Sequence, residues 1–290
     1  MTHHFEQLVE SEIITTVRDF AKAVVIDLVQ DRNADELTIR RMDDEAITHL
    51  VIDAGAPVLA PGLLERLLEI SAGNPRLALM ATEAVKTSPN LAMLRDAGVI
   101  YEKYFEPILR SNAIFKRTVA LKSMGLLSFF HSIDIEDPQD IAMLDTFGFT
   151  PDSFLDIVRE LQALEFVEVH DGCVVKIAEQ TLATYFFYKT FFQDRSLSFS
   201  ALLHGYFPSH WWQMRDGFVP AQGIFGSEKV LNPAQEPLHA YYTSIRHIPE
   251  ACQLFLNVFG RYFPNLAFGY ILEHVNRLED VPPTRRMRLS

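Results

Sequence analysis

The sequence predicts a mainly α-helical fold with small β elements, and three observations support that prediction. Apolar residues recur at helical spacing through residues 43–105 and again through residues 113–164. Prolines and capping residues interrupt those stretches at intervals that fit helices of ordinary length. Runs typical of β-strands are confined to residues 12–40 and 166–177.

Composition limits the classes of function. The chain has 290 residues, 48% of them hydrophobic, and a formal net charge of −12. Since nucleic acid and anionic lipid attract basic faces, this charge argues against both as non-specific partners. No apolar run approaches the roughly 18 residues that span a bilayer, and Met1–Glu10 lacks a signal-peptide core. Cys173 and Cys252 form no CxxC pair, so the sequence predicts no metal site and a cytoplasmic location.

The first predicted unit, residues 1–42, has the strand–helix–strand order of an α/β domain. Residues 12–17 are a short apolar run typical of a strand buried in a parallel sheet. A helix is predicted over 20–30 and a second strand over 36–40. A strand this apolar needs neighbours on both sides, so we expect this unit to be the C-terminal remnant of a larger α/β core.

The second predicted unit, residues 43–110, is helical. Asp43 is a candidate N-cap for its first helix, and Pro61 opens the second. A third helix begins at the Gly73–Pro75 turn, where the asparagine caps and the proline takes the first helical position. A longer helix is predicted over 91–109.

The third predicted unit, residues 111–195, contains three helices and a hairpin. The helices are predicted over Ala113–Phe130, Asp137–Phe147 and Pro151–Leu164. Two β runs flank Asp171-Gly172, which is a strong hairpin signal. Three helices followed by a hairpin is the winged-helix order, and a closing helix is predicted over 180–193.

The fourth predicted unit, residues 196–290, is a helical region. Prolines are predicted to break its helices at Pro208, Pro220, Pro233, Pro237, Pro249 and Pro264. The aromatic stretches Phe199–Phe207 and Phe255–Phe263 resemble each other, which favours the start of a helical-repeat array.

The common signatures of catalysis are missing from the sequence. It has no GxxxxGK[ST], so no loop can cradle a triphosphate and supply its lysine, and it has no GxGxxG, GxSxG or HExxH. Trp211 and Trp212 could stack on a base, yet packing within a helical layer explains them better because no basic cluster lies near them in the sequence. We therefore assign no catalytic residue.

The winged-helix order raises DNA binding as an alternative function. The helix that would enter the major groove is Pro151–Leu164, whose polar face is net acidic and would repel phosphate. The wing turn, His170–Gly172, also lacks a cation. The sequence therefore favours a packing module over a DNA-binding regulator. A helical protein-interaction scaffold with no link to nucleotides is the other alternative.

Two short motifs remain, T-V-R-D at Thr16–Asp19 and G-N-P-R at Gly73–Arg76. Taken alone, the second motif is simply a tight helix–helix turn. In this order and at this spacing, the two resemble the STAND nucleotide-switch ATPases of the AAA+ group. They are most similar to bacterial members in which a strand ending in T-x-R-D precedes a helical lid and a G-N-P-R turn. A winged helix and helical repeats follow in that family.

The resemblance implies roles for five residues near a nucleotide. Arg18, together with Thr16, would be the sensor-1 group facing the γ-phosphate. Pro75, in the turn capped by Asn74, would contact the adenine, and Arg76 would be a cation similar to sensor 2. A cation beside the γ-phosphate and a helix N-terminus both stabilise negative charge. ATP or ADP with Mg²⁺ would be the cofactor of the intact system.

The resemblance also implies what the chain would lack. In the family, the Walker A lysine and the Walker B acids precede the sensor-1 strand, so we expect no hydrolysis by this chain alone. It would be the sensor part of a signalling ATPase, of a kind that often serves anti-phage defence in bacteria. The implied partners are a protein ligand or an N-terminal NTPase half. The intact system could form a homo-oligomer, and the chain would be a fragment, a truncated product or half of a split protein.

Overall fold

A computed structural model describes residues 40–55, 61–87 and 91–279. Over these ranges the protein is mainly helical and has one small antiparallel sheet, which confirms the predicted class of fold. Within the same ranges, no helix is both long enough and apolar enough to cross a bilayer.

The chain divides into two compact units, residues 1–41 and residues 42–290. The predicted strand–helix–strand piece falls in the first unit and lies outside the described residues, as do Thr16 and Arg18. The second unit holds all the helices and strands described below.

The second unit opens with consecutive helices. They are α1 (Asp44–Asp53), α2 (Pro61–Ser71), α3 (Pro75–Thr87) and α4 (Ala97–Ser111). Two predicted caps are confirmed: the side chain of Asp43 accepts a hydrogen bond from the N–H of Ala46, and that of Asn74 accepts one from Leu77. These carboxylate and amide oxygens satisfy N–H groups that have no partner within their helix.

One long predicted helix has a different start. Residues 91–109 were expected to form a single helix, but Leu91–Leu94 is a 3₁₀ turn and α4 begins only at Ala97. The reason is a cap, because the carboxylate of Asp96 accepts the N–H of Val99 at 2.9 Å and so fixes the start of α4.

The sheet packs against four helices, three of which alternate with its strands in the chain. In chain order the elements are α5 (Thr118–Phe130), β1 (Ser132–Asp134), α6 (Pro138–Thr146), α7 (Pro151–Ala163), β2 (Val167–His170) and β3 (Val174–Ile177). The predicted hairpin is confirmed, with Val169 opposite Val175 across β2 and β3. The third strand, β1, pairs antiparallel with β3 and gives the order β1-β3-β2. Three residues are too few for an alternating pattern, so the sequence did not reveal β1.

Another predicted helix is shorter than expected. Residues Ala113–Phe130 were predicted to be one helix, but Ala113–Lys116 is a 3₁₀ turn and α5 starts at Thr118. Arg117 between them has an extended backbone, with φ −89° and ψ 116°. This break orients the Phe115 side chain toward the core. There its ring meets that of Phe166 edge-on, with the ring centroids 4.8 Å apart.

The rest of the second unit is helical. It contains α8 (Gln180–Tyr188), α9 (Phe199–Tyr206), α10 (Trp211–Gly226), α11 (Asn232–Ile245), α12 (Pro249–Phe259) and α13 (Pro264–Glu279). Single π-helical turns follow α8 and α10. Two predicted proline breaks are wrong, since Pro220 lies inside α10 and Pro237 inside α11. Packing of α10 on α5, α8 and α12 overrides the local preference of the proline.

Helix α8 is the centre of the core. All residues from Leu182 to Tyr188 are buried, and the helix packs against α5 on one side and α10 on another. Gly125 of α5 permits the close approach of the π-helical turn that follows α8, because a Cβ atom there would lie only 2.8 Å from Cβ of Thr190. A helix buried all round needs apolar residues on every face, which this sequence supplies.

Candidate functional site

The candidate site is the turn between α2 and α3. Ala72 and Gly73 both have positive φ angles, 45° and 76°, and together they end α2. The N–H of Asn74 then donates to the carbonyl oxygen of Ser71 at 2.8 Å. The Asn74 side chain accepts from Leu77 at 3.1 Å, so the turn places the start of α3 at a fixed angle.

Arg76, in the first turn of α3, points across to another part of the fold. Its guanidinium forms an ion pair with the carboxylate of Glu179 at 2.7 Å. It also lies over the ring of Tyr104, 5.3 Å from the centroid, and donates to that hydroxyl at 3.4 Å. Among the described residues, none forms a hydrogen bond with the buried Nε of Arg76. Arg76, which the resemblance would place near a phosphate, is thus paired with the Glu179 carboxylate.

The charges of Arg76 and Glu179 both act on a buried tyrosine, Tyr101. The pKa of Tyr101 is raised from 10.0 to about 12, mainly by burial and to a smaller extent by the negative charge of Glu179, while the positive charge of Arg76 opposes this rise. Glu179 directly precedes α8, and its carboxylate also accepts the hydroxyl of Thr181. The site therefore joins the start of α3, the middle of α4 and the start of α8.

The described residues of the predicted site are consecutive in the chain. Asn74 and Pro75 are exposed, while Arg76 is half-buried. The N–H of Met42 donates to the carbonyl oxygen of Gly73 at 3.0 Å, so the second unit also starts at this turn. Thr16 and Arg18 lie outside the described residues, and their distance from the turn stays a prediction.

Two residues of this site, Glu179 and Tyr104, were not predicted from the sequence. Glu179 is 103 residues from its partner Arg76, and no local pattern marks it. Tyr104 was placed on a predicted helix but given no role. One weak signal existed, since Tyr101 and Tyr104 are three residues apart and so lie next to each other on the same face of α4.

The tryptophan pair is better explained by packing than by stacking on a ligand. Trp211 packs against the hydrophobic core, and its ring meets that of Trp212 edge-on at 5.6 Å. Within the described ranges, no group of three or more histidine, cysteine, aspartate or glutamate residues is arranged to hold a metal ion.

The turn combines features that favour an anion. The N-terminus of a helix carries a positive partial charge, and the Arg76 guanidinium adds a full charge one residue into α3. A guanidinium that is paired with a carboxylate can exchange it for a phosphate, to which it can donate two parallel hydrogen bonds. When the chain was compared with protein-family models, with curated proteins and with solved structures, nothing matched.

Proposed function

We propose that this chain is the regulatory, sensor part of a STAND-type nucleotide-switch ATPase that acts in cytoplasmic signalling, of the kind used in anti-phage defence. In this proposal, residues 43–110 form the lid, residues 111–195 a winged helix, and residues 196–290 the helical sensor. The supporting observation is the Asn74–Arg76 turn, which places a capped helix start and a guanidinium side by side. ATP or ADP would bind with Mg²⁺ once the rest of the nucleotide-binding core is supplied.

The order of elements from α5 to β3 supports the winged-helix part of the proposal. A short strand follows the first of three helices, and a hairpin follows the third. The sheet order β1-β3-β2 puts the hairpin's second strand in the middle. Winged-helix domains are built in this order, and helical elements follow here, as they do in the family.

The Arg76–Glu179 pair supports a switch. Both side chains are a little under 40% exposed, at 38% and 39%. Ion pairs with such exposure contribute only about 0–1 kcal/mol, because water and salt screen them. A phosphate group at the turn would therefore compete for Arg76 at small cost to the fold. In the proposed mechanism, that competition releases Glu179 and so loosens α3 from the start of α8.

The surface of α7 argues against the alternative of a DNA-binding regulator. Its exposed face carries Asp152, Asp156 and Glu160. The cations near it are engaged, because Arg159 contacts Asp156 at 3.4 Å and Arg117 contacts Glu160 at 2.6 Å. A recognition helix with this charge would repel the phosphates on both sides of a major groove.

Titration calorimetry with ATP and with ADP, in the presence of Mg²⁺, tests the proposal on the full chain. We expect weak binding that Arg76→Ala and Pro75→Ala abolish and Arg18→Ala weakens. Arg95→Ala is the matched control, because Arg95 is a solvent-exposed arginine outside the turn. Loss of binding in the control as well would indicate general charge attraction.

Two outcomes would overturn the proposal. One is no heat of binding even when a separately produced P-loop half of a STAND protein is added. The other is binding that is unchanged in Arg76→Ala and Pro75→Ala, since the nucleotide would then lie elsewhere. Saturable, sequence-dependent binding to duplex DNA at low salt would instead favour the DNA-binding alternative.

A further inference from the structure

Charge is distributed unevenly along the segment that surrounds the sheet. From residue 107 to residue 133 the sequence has four cations, namely Arg110, Lys116, Arg117 and Lys122, and no aspartate or glutamate. From residue 134 to residue 171 it has eleven acidic residues and a single arginine. In a chain of net charge −12, the first stretch is a local exception that would attract negative partners.

A groove of about 370 Å³ lies at this basic stretch. Its apolar floor is formed by Leu109, Phe115 and Leu121. Three cations and two carboxylates lie around that floor and leave a net positive charge, namely Arg110, Lys116, Lys189, Glu106 and Asp194. The lining comes from the end of α4, the 3₁₀ turn before α5, α5 itself and the π-helical turn after α8. Apolar surface with a few charged groups around it is the usual composition of a binding groove.

The floor of the groove is rigid because it belongs to the core. Leu109 and Phe115 are 8% and 7% exposed. The ring of Phe115 is held by Phe166 at 4.8 Å and by Phe186 at 5.5 Å. A preformed floor does not have to be ordered when a partner binds, so less conformational entropy is lost.

The cations around the groove differ in how they are engaged. Arg110 pairs with Glu106 at 3.1 Å but is 80% exposed, and Lys189 pairs with Asp194 at 3.1 Å and is largely covered. Lys116 is exposed and makes no ion pair within the described part of the chain. Lys116 and Arg110 are thus the two cations that can reach an incoming carboxylate.

We propose that this groove binds a short acidic segment of a partner protein. An apolar side chain of that segment would lie on Leu109, Phe115 and Leu121, and neighbouring carboxylates would pair with Lys116 and Arg110. The combination of floor and charge favours a peptide over a nucleic acid, since a phosphodiester backbone would leave the apolar floor uncovered. The site needs no nucleotide and is independent of the proposed switch.

Fluorescence anisotropy with a labelled heptapeptide, Glu-Glu-Leu-Glu-Phe-Glu-Glu, tests this site on the full chain at low salt. Two matched peptides replace either both apolar residues with serine or all glutamates with lysine. We expect measurable binding of the first peptide only, falling as salt rises. Lys116→Glu and Arg110→Glu should each weaken it by about tenfold, because reversing a charge turns attraction into repulsion. Arg95→Glu is the control, since the Arg95 side chain is also 80% exposed.

Several results would overturn the proposal. They are no binding of the acidic peptide, equal binding of the serine-substituted peptide, or equal losses in Arg95→Glu and Lys116→Glu. If single-stranded DNA displaced the acidic peptide as well as the unlabelled peptide does, the site would be a general anion-binding surface and not a peptide groove. Thermal unfolding of each variant checks the fold, and Lys116 is suited to this test because its side chain is exposed.

Discussion

The two ends of helix α8 are held by opposite kinds of contact. At its start, Glu179 meets Arg76 in a half-exposed ion pair over Tyr104. At its other end, Phe187 is fully buried and contacts Phe129 and Phe191 through ring faces and edges. One end of the helix depends on charge near solvent and the other on close packing.

The difference shows which contact can change without unfolding the protein. Close packing is lost all at once, because a core has no partly packed state of low energy. A screened ion pair costs little to break and can form again with another acceptor. We therefore expect the far end of α8 to act as a fixed anchor and the Glu179 end to act as the movable contact.

The largest effect is expected from truncating the anchor. Phe187→Ala should reduce the free energy of unfolding by about 3–5 kcal/mol, because it leaves a cavity between α5, α8 and α10. Urea denaturation followed by circular dichroism measures the loss. Phe268→Ala is the control, since that ring is 66% exposed and its loss should change stability by less than about 0.5 kcal/mol. Similar losses in both variants would remove the distinction between core and surface.

A methyl group at the tightest approach should have the next largest effect. In Gly125→Ala, the new Cβ would lie 2.8 Å from Thr190 Cβ and from Leu197 Cδ1, so we expect a loss of about 1–3 kcal/mol. Gly205→Ala in α9 meets nothing within 4 Å and should stabilise by about 0.5–1 kcal/mol through helix propensity. Thermal unfolding of the two variants should therefore shift in opposite directions, and a shift in the same direction would contradict the packing model.

Raising the pH should reduce the free energy of unfolding, because a buried tyrosine influences the structure near each end of α8. Burial raises the pKa of Tyr101 to about 12, and burial with nearby Glu102 raises the pKa of Tyr188 above its usual 10.0. The folded state then holds the phenolic protons more tightly than the unfolded state, so stability is complete below pH 10 and falls above it. At pH 11 we therefore expect Tyr101 to reduce the free energy of unfolding by about 1 kcal/mol.

Chemical denaturation at pH 9 and pH 11 measures this loss, with tyrosinate absorbance as a second signal. Tyr101→Phe should reduce the pH dependence, because a phenylalanine carries no proton to lose. A free energy of unfolding that stays constant between pH 9 and pH 11 would contradict the burial of these hydroxyl groups.

The smallest effect on stability is expected at the ion pair. Arg76→Gln and Glu179→Gln should each cost less than about 1 kcal/mol, and the double variant should cost little more than either. Hydrogen–deuterium exchange should nevertheless rise near residue 180 in both single variants, since the local contact is lost. Unchanged hydrogen–deuterium exchange near residue 180 would contradict this prediction. So would a loss of stability as large as that of Phe187→Ala, because either result would indicate that the ion pair is a fixed contact.

Local chemistry in the sequence predicted much of the fold. The caps at Asp43 and Asn74 and the hairpin around Asp171-Gly172 all depend on residues within a few positions of each other. Such contacts form wherever the right residue types occur at the right spacing. Errors arose where packing or a competing cap decided, as at the start of α4 and at Pro220 inside α10.

The sequence by itself determined the mainly helical class, the hairpin and the turn that starts α3. The tertiary structure alone decided that Arg76 meets Glu179, that Tyr101 is buried, and that α8 is buried between α5 and α10. The physical reason is distance along the chain. A cap or a tight turn is specified by neighbouring residues, whereas a pair separated by 103 residues forms only when whole helices have packed.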